Sequence, residues 1–218
     1  KHKTVWQQEN IWSRIMIYKP IKTIILSLFF LSTSILYGND NNYNRIEVLV
    51  NENIITKYDV AQRMKINAVL NRIEINNGNY KQLINAVIED LVIEKLKNKK
   101  INEYNITLNR DEFNNYEERF FSSVEYNKQE IKELFYTNDI NYDYLLNFIE
   151  IELKWQKLIY RLYMRVTSVT KQEIQDFIRQ NPNISETNAY EIILQKQLDI
   201  KSDKLIKDLR DEATIEFK

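Results

Sequence analysis

The chain has 218 residues, 31 basic and 31 acidic side chains, 0 cysteines, 2 glycines and 2 prolines. This length suits one domain with a small appendage. The lack of Cys excludes a disulfide framework, thiol catalysis and lipid attachment at a Cys, and so little Gly and Pro argues against an all-β fold, pointing instead to helices joined by Asn- and Asp-rich connections.

The first element is apolar. Ile24 to Tyr37 reads IILSLFFLSTSILY, preceded by Lys19 and Lys22 and containing the small residues Ser32 and Ser34, with Gly38 just beyond. A basic flank, a short apolar core and small residues are the pattern of a secretory signal. A run of about 14 residues makes roughly 21 Å of helix, short of a bilayer core of roughly 30 Å. Residues 1–38 are therefore read as a signal peptide, with Met16 as the expected true start. An uncleaved anchor and a buried helix are the alternatives. Removing residues 1–38 takes away Lys1, Lys3, Arg14, Lys19 and Lys22 and one acid, Glu9, leaving 26 basic against 30 acidic side chains. No basic patch remains for a phosphate backbone, so nucleic acid is not expected as a partner.

Residues 39–44 (NDNNYN) read as a flexible leader. Arg45 to Val50 alternates, with Ile46, Val48 and Val50 on one face, and predicts a strand. Asn51-Glu52-Asn53 predicts a turn and Ile54-Ile55 a returning strand. Thr56, three residues before Asp59, resembles a capping box and opens a helix expected over Lys57 to Ile75, with Gly78 as its left-handed cap. A second helix is expected from Tyr80 to Lys100, with Leu83, Ile84, Val87, Ile88, Leu91, Val92 and Leu96 forming a wide apolar face. Thr107 or Asn109 caps a third helix through Asp111, Phe113, Tyr116 and Phe120, and a fourth runs from Lys128 to Tyr136.

The longest predicted helix spans Tyr142 to Arg165 and carries two apolar stripes. Leu145, Phe148, Trp155, Ile159 and Leu162 form one; Leu146, Ile149, Leu153, Tyr160 and Met164 form the other. A helix apolar on two sides is central to a bundle or serves two surfaces. Val166 to Val169 breaks the pattern. Thr170 with Glu173 opens a further helix to Gln180, ended at Asn181-Pro182. Ala189 to Gln195 is expected as a short helix or strand, Ser202 to Ala213 as a helix, and Thr214 to Phe217 as a strand able to pair with Arg45–Val50.

The chemistry that is missing narrows the function. The single histidine, His2, lies in the segment read as removed, so mechanisms with a His base and His-based metal sites lack their key residue. One glycine, Gly78, remains after residue 38, too few for a phosphate-cradling loop. The acids Glu117-Glu118 and Glu150 with Glu152 are interleaved with Lys and Arg and are expected on solvated helix faces. No catalytic residue, metal or cofactor is assigned, and no nucleotide is expected as a partner.

The stretch IEVLVNENIITKYDVAQRM (Ile46–Met64) resembles the opening of the SurA N-terminal chaperone domain, found in periplasmic parvulin-type foldases. Leu83 to Lys100, the Ile106–Asp111 connector, the long helix over Tyr142 to Val166 and the tail Ala189 to Phe217 resemble further parts of that family in the same order. Where the family inserts parvulin isomerase domains after the long helix, this chain has about 50 residues without Gly, His or Cys. The resemblance implies a mainly α fold: a SurA-N-like helical bundle in which N- and C-terminal segments pair as a small β-sheet. It divides the chain into a chaperone domain over 45–165 and a C-terminal segment over 166–218 packing back on it.

The implied function is that of an ATP-independent, non-enzymatic periplasmic holdase, with unfolded outer-membrane protein precursors as clients. A prolyl isomerase-family foldase and a membrane-tethered envelope adaptor are the alternatives, and a homodimer is left open. The candidate client contacts are Tyr116, Phe120, Phe121, Phe135, Tyr136, Tyr144, Tyr160 and Met164.

Overall fold

The computed structural model describes residues 44–218. The signal-peptide reading of 1–38 and the leader up to residue 43 lie outside the described residues.

The elements are β1 (Ile46–Val50), β2 (Asn53–Thr56), α1 (Lys57–Asn71), α2 (Tyr80–Glu103), α3 (Arg110–Ser123), α4 (Lys128–Thr137), α5 (Tyr142–Tyr163), a 3-10 turn (Met164–Val166), α6 (Lys171–Gln180), α7 (Glu186–Asp211) and β3 (Ile215–Phe217). This is the expected mainly helical architecture with a small sheet. β1 and β2 turn tightly at Asn51, which takes the left-handed conformation (φ 52°) that Asn tolerates better than most residues. The sheet order is β2-β1-β3, antiparallel throughout, so the first and last strands are neighbours.

Helix starts follow from local chemistry. Thr56, Asn109, Asn127 and Thr170 each accept from the backbone N–H three residues on, while Asp59, Glu112, Glu130 and Glu173 reach back to the cap's own N–H. Each such box satisfies two helix-end donors, and its cap side chain contributes about 1 kcal/mol.

Two boundaries differ from the sequence reading. α1 ends at Asn71, not Ile75, because Arg72 itself takes the left-handed cap (φ 53°) and donates its N–H to Val69 and Ala68. Gly78 keeps an ordinary φ and donates its N–H to Asn76 Oδ1 at 2.9 Å, as part of an Asn-built turn. The second difference is larger. Ala189–Gln195 and Ser202–Ala213 are not separate elements but parts of one 26-residue helix, α7. The stretch between them, Lys196 to Lys201, contains no Gly or Pro to interrupt a helix.

The core has three parts. Val48, Val50 and Ile55 from the sheet pack with Val60 and Met64 of α1 and Val87, Leu91, Val92 and Leu96 of α2. Ile66, Phe121, Ile131, Phe135, Ile140, Leu145 and Ile149 join α1, α3, α4 and the first half of α5. Ile101, Ile106, Ile151, Trp155, Leu158, Ile159 and Leu198 join the end of α2, the second half of α5 and α7.

Charge also enters the interior. On α1, Arg63 and Asn67 stand one turn apart; they face Glu94 and Asp90, one turn apart on an antiparallel α2. Arg63 is 3% exposed, pairs with Glu94 and stacks over the Phe148 ring of α5 at 4.6 Å. Lys97, one turn beyond Glu94, donates to both carboxylate oxygens of Glu152 on α5 at 2.6 and 2.9 Å. Thus Glu152 is not on a solvated face as expected. Nor is Glu117, which is buried, paired with Lys128 at 2.7 Å and within 3.4 Å of the Tyr142 hydroxyl.

Candidate functional site

The two stripes of α5 have different fates along its length. In the first half both are covered: Leu145 and Ile149 are 0% exposed between α1, α3 and α4. In the second half α7 lies on one side. Ser202 of α7 accepts a 2.8 Å hydrogen bond from the Trp155 indole, and Leu194, Leu198, Leu205 and Ile206 pack with Trp155, Ile159, Leu162 and Tyr163. The C-terminal segment thereby covers the Trp155–Ile159–Leu162 stripe and leaves the other one open. Along that open stripe Ile149 is buried, Leu153 is half-buried and Tyr160 is 56% exposed. Met164 is half-buried one turn later, and Val166 at the end of the 3-10 turn is 72% exposed.

The opening arises from connectivity. α5 ends at Tyr163 and the 3-10 turn at Val166, where Thr167 is extended, so the last turn of α5 is covered where α7 returns and flanked by the end of α2. Tyr104, at the C-terminal end of α2, borders the strip, and its carbonyl accepts from Arg161 at 3.2 Å. Arg161 and Arg165 are exposed beside it. The result is an open apolar strip with a basic margin rather than an enclosed pocket. It can cover extended polypeptide, but it has no walls to desolvate a small substrate.

The other candidate contacts are distributed elsewhere. Phe121 and Phe135 are 5% and 1% exposed and belong to the core; they are corrected from contact residues to packing residues. Phe120 is half-buried against Phe121 and Phe148 in edge-to-face geometry. Tyr116 is half-buried and accepts from Gln156 Nε2 at 3.0 Å. Its burial, with the nearby Glu152 charge, pushes its hydroxyl up to about 12. Tyr144 donates to Asp59 Oδ1 at 2.7 Å and stacks edge-on with Tyr58, so its polar end is committed to holding the start of α1. Burial and then the Asp59 bond raise the Tyr144 hydroxyl well above its ordinary value. Tyr136 stands 90% exposed on α4, well away in sequence from the α5 strip. Of the eight candidates, Tyr160 and Met164 share an open apolar stripe, and Tyr136 is open on its own.

Sequence reasoning missed Val166, Ile192, Ile200 and Phe217, which are 72%, 41%, 59% and 64% exposed. Weighting aromatics over aliphatics hid the first three. Phe217 reads as a strand residue on the buried face, and only its place at a sheet edge leaves it open.

Two shallow hollows of about 480 and 390 Å³ share Tyr126 and Leu134; the larger is rimmed by Glu125, Glu130 and Glu133. Among the described residues no group of three or more His, Cys, Asp or Glu is placed to hold a metal ion, and no helix is long and apolar enough to cross a membrane.

No family model matches the chain, and no curated protein matches it. A solved structure is similar to it, from work on the virulence factor PEB4 and the periplasmic protein Cj1289, described as two structurally related SurA-like chaperones of Campylobacter jejuni. The identity is 12%, the match covers 79% of this chain and 98% of that chain, and the TM-score is 0.48.

Proposed function

We propose that this protein is an ATP-independent holdase that shields unfolded polypeptides in the periplasm, with outer-membrane protein precursors as its clients. The observation that carries the reading is the open apolar strip formed by Tyr160 at the end of α5 with Met164 and Val166 of the following 3-10 turn. We read this exposed apolar cluster as a binding surface. Precursors of β-barrels expose apolar residues at alternate positions, and an open strip can cover these without a closed pocket. Ordering an unfolded client costs entropy, so each contact is weak and release needs no energy input. The periplasmic placement rests on the signal-like segment over residues 1–38.

A parvulin-type isomerase reading has less support, because the chain's single histidine is His2. The protein is expected to leave the rate of prolyl isomerisation in a proline-containing peptide unchanged; acceleration would replace the holdase reading with an enzymatic one. The direct test dilutes a urea-unfolded barrel precursor into buffer with and without the protein and follows light scattering. Suppression of scattering without ATP is the expected result. Equal scattering in both arms defeats the proposal. Crosslinking in cells then separates a holdase, which traps many polypeptides, from an envelope adaptor, which traps one.

A further inference from the structure

The small sheet ends at β3, and the register of β3 on β1 fixes which of its backbone groups point outward. Val48, Leu49 and Val50 stand opposite Phe217, Glu216 and Ile215. Lys218 donates its N–H to the Glu47 carbonyl at 3.0 Å, and Asn51 donates to the Thr214 carbonyl at 2.8 Å. In an antiparallel ladder hydrogen-bonded pairs alternate with non-bonded pairs. Residues 214, 216 and 218 therefore turn their backbone groups toward β1, and Ile215 and Phe217 turn theirs away from it. Among the described residues no strand lies beyond β3.

The side chains at this edge have a matching asymmetry. Phe217 shares the face of Val48, which is 0% exposed, yet Phe217 itself is 64% exposed because nothing flanks it on the far side. Ile215 on the same face packs into the core beside the sheet. On the opposite face stand Glu216 and Glu47, with Lys218 reaching Glu216 at 2.6 Å in an exposed ion pair.

The geometry points to the free edge of β3 as a docking site for an extended polypeptide segment with apolar residues at alternate positions and a basic residue between them. This deepens the chaperone reading and rests on it. Such a segment bonds the outward N–H and C=O groups of Ile215 and Phe217, lays its apolar side chains beside Phe217 and sets its basic residue on the face where Glu47 and Glu216 outnumber Lys218. Backbone bonding gives affinity without sequence dependence, and the alternating faces set the preference. A second copy of this chain fits less well. Antiparallel pairing of β3 with itself that uses all the outward groups sets Glu216 directly against its own image, a like-charge pair. Sliding the register to set Ile215 against its own image avoids this but places Phe217 opposite Ala213, outside the strand.

The test uses the full chain and two short fluorescent peptides, one alternating Val and Lys, the other Val and Glu. Amide hydrogen exchange is followed at single residues. The Val/Lys peptide is expected to slow exchange at Ile215 and Phe217, with little change at Glu216, whose N–H already faces β1. The Val/Glu peptide is expected to bind at least tenfold more weakly. Phe217→Pro removes an outward donor and spares every β1–β3 bond, a substitution edge strands accept; it should abolish the protection. Phe217→Ala keeps the donor and should retain part of it, which guards against a general folding defect.

Unchanged exchange at Ile215 and Phe217 under saturating Val/Lys peptide overturns the inference. So does protection that grows with protein concentration in the absence of peptide, which would assign the edge to a second copy. If barrel-precursor aggregation is suppressed but the edge stays unprotected, the edge proposal fails and the chaperone reading stands. If the edge is protected but aggregation proceeds, the chaperone reading fails and a peptide-docking edge remains.

Discussion

The residue with the sharpest physical conflict is Asp90. Its carboxyl sits at the α1–α2 interface with Oδ2 lacking a hydrogen-bond partner, and the facing Asn67 Oδ1 lacks one too. Burial raises its pKa, opposed by the Arg63 charge, the Asn67 bond and Lys97, and reinforced by Glu152. The surroundings explain the direction: two buried cations, Arg63 and Lys97, are already matched by Glu94 and Glu152, so a third carboxylate charge is surplus. A folded pKa above the unfolded value means that Asp90 favours folding most below about pH 4. That contribution is lost as pH rises through the raised folded value. Asp90→Asn removes the surplus charge and turns an acceptor into a donor toward Asn67 Oδ1. It should stabilise the protein at pH 7 by about 1 kcal/mol and remove Asp90's share of the rise in stability as pH falls through the raised folded value toward about pH 4, as read from urea unfolding at each pH.

Tyr160 and Val166 give the functional prediction at the same scale. Replacing both by Ser should leave the unfolding midpoint nearly unchanged, since exposed positions contribute within about 0.5 kcal/mol. Suppression of client aggregation should fall by about threefold or more, as expected when central apolar contacts of a binding surface are lost. The same change at Phe121 would unfold the protein instead, because it opens a core cavity. The sequence could not separate these aromatics. Phe135 and Tyr136 are neighbours in the chain, yet one is 1% exposed and the other 90%. One residue is 100° of helix rotation, and which side meets α1 and α5 is a tertiary matter.

Among the elements, what could be read from the sequence was what is local. Thr56 with Asp59 and Thr170 with Glu173 need only residues three apart, and Asn109 was one of two caps considered for α3; all three start their helices in the structure. The alternation of Arg45–Val50 and Thr214–Phe217 foretold their pairing. What depended on distant partners was missed. α7 keeps one continuous helix because Ser202 bonds Trp155, Arg210 bonds Glu89 at 3.0 Å, and Leu198 packs under α5; none of these contacts is visible within the helix. Glu152 likewise was expected on a solvated face, and its pairing with the buried Lys97, like that of Arg63 with Glu94, exists only once α1, α2 and α5 are brought together. A signal did exist: Glu94 and Lys97 lie within the wide apolar face of α2, between Leu91 and Ile101.

Two predictions belong at this scale. Arg63→Met should cost about 3 kcal/mol by leaving Glu94 buried without its partner, and adding Glu94→Leu should restore much of that loss, which a double-mutant cycle by urea unfolding measures. Ser202→Ala should cost about 1 kcal/mol by orphaning the Trp155 indole N–H. Its mark would be faster hydrogen exchange confined to α7.

At the level of the whole molecule, β1 lies between β2, its immediate successor, and β3, from the far end of the described chain. Removing residues 214–218 should therefore destabilise the sheet and the α1–α2 core beneath it, by about 2 kcal/mol from lost ladder bonds and the exposed Val48 and Val50 edge. The effect should appear as a lower urea midpoint for the entire domain, not as local fraying. Closing so long a loop is entropically slow. A chain that is synthesised or threaded amino-terminus first holds β1 with one bare flank until residues 215–217 arrive. For that interval the nascent molecule displays the kind of unsatisfied strand that its finished form is proposed to shelter in others.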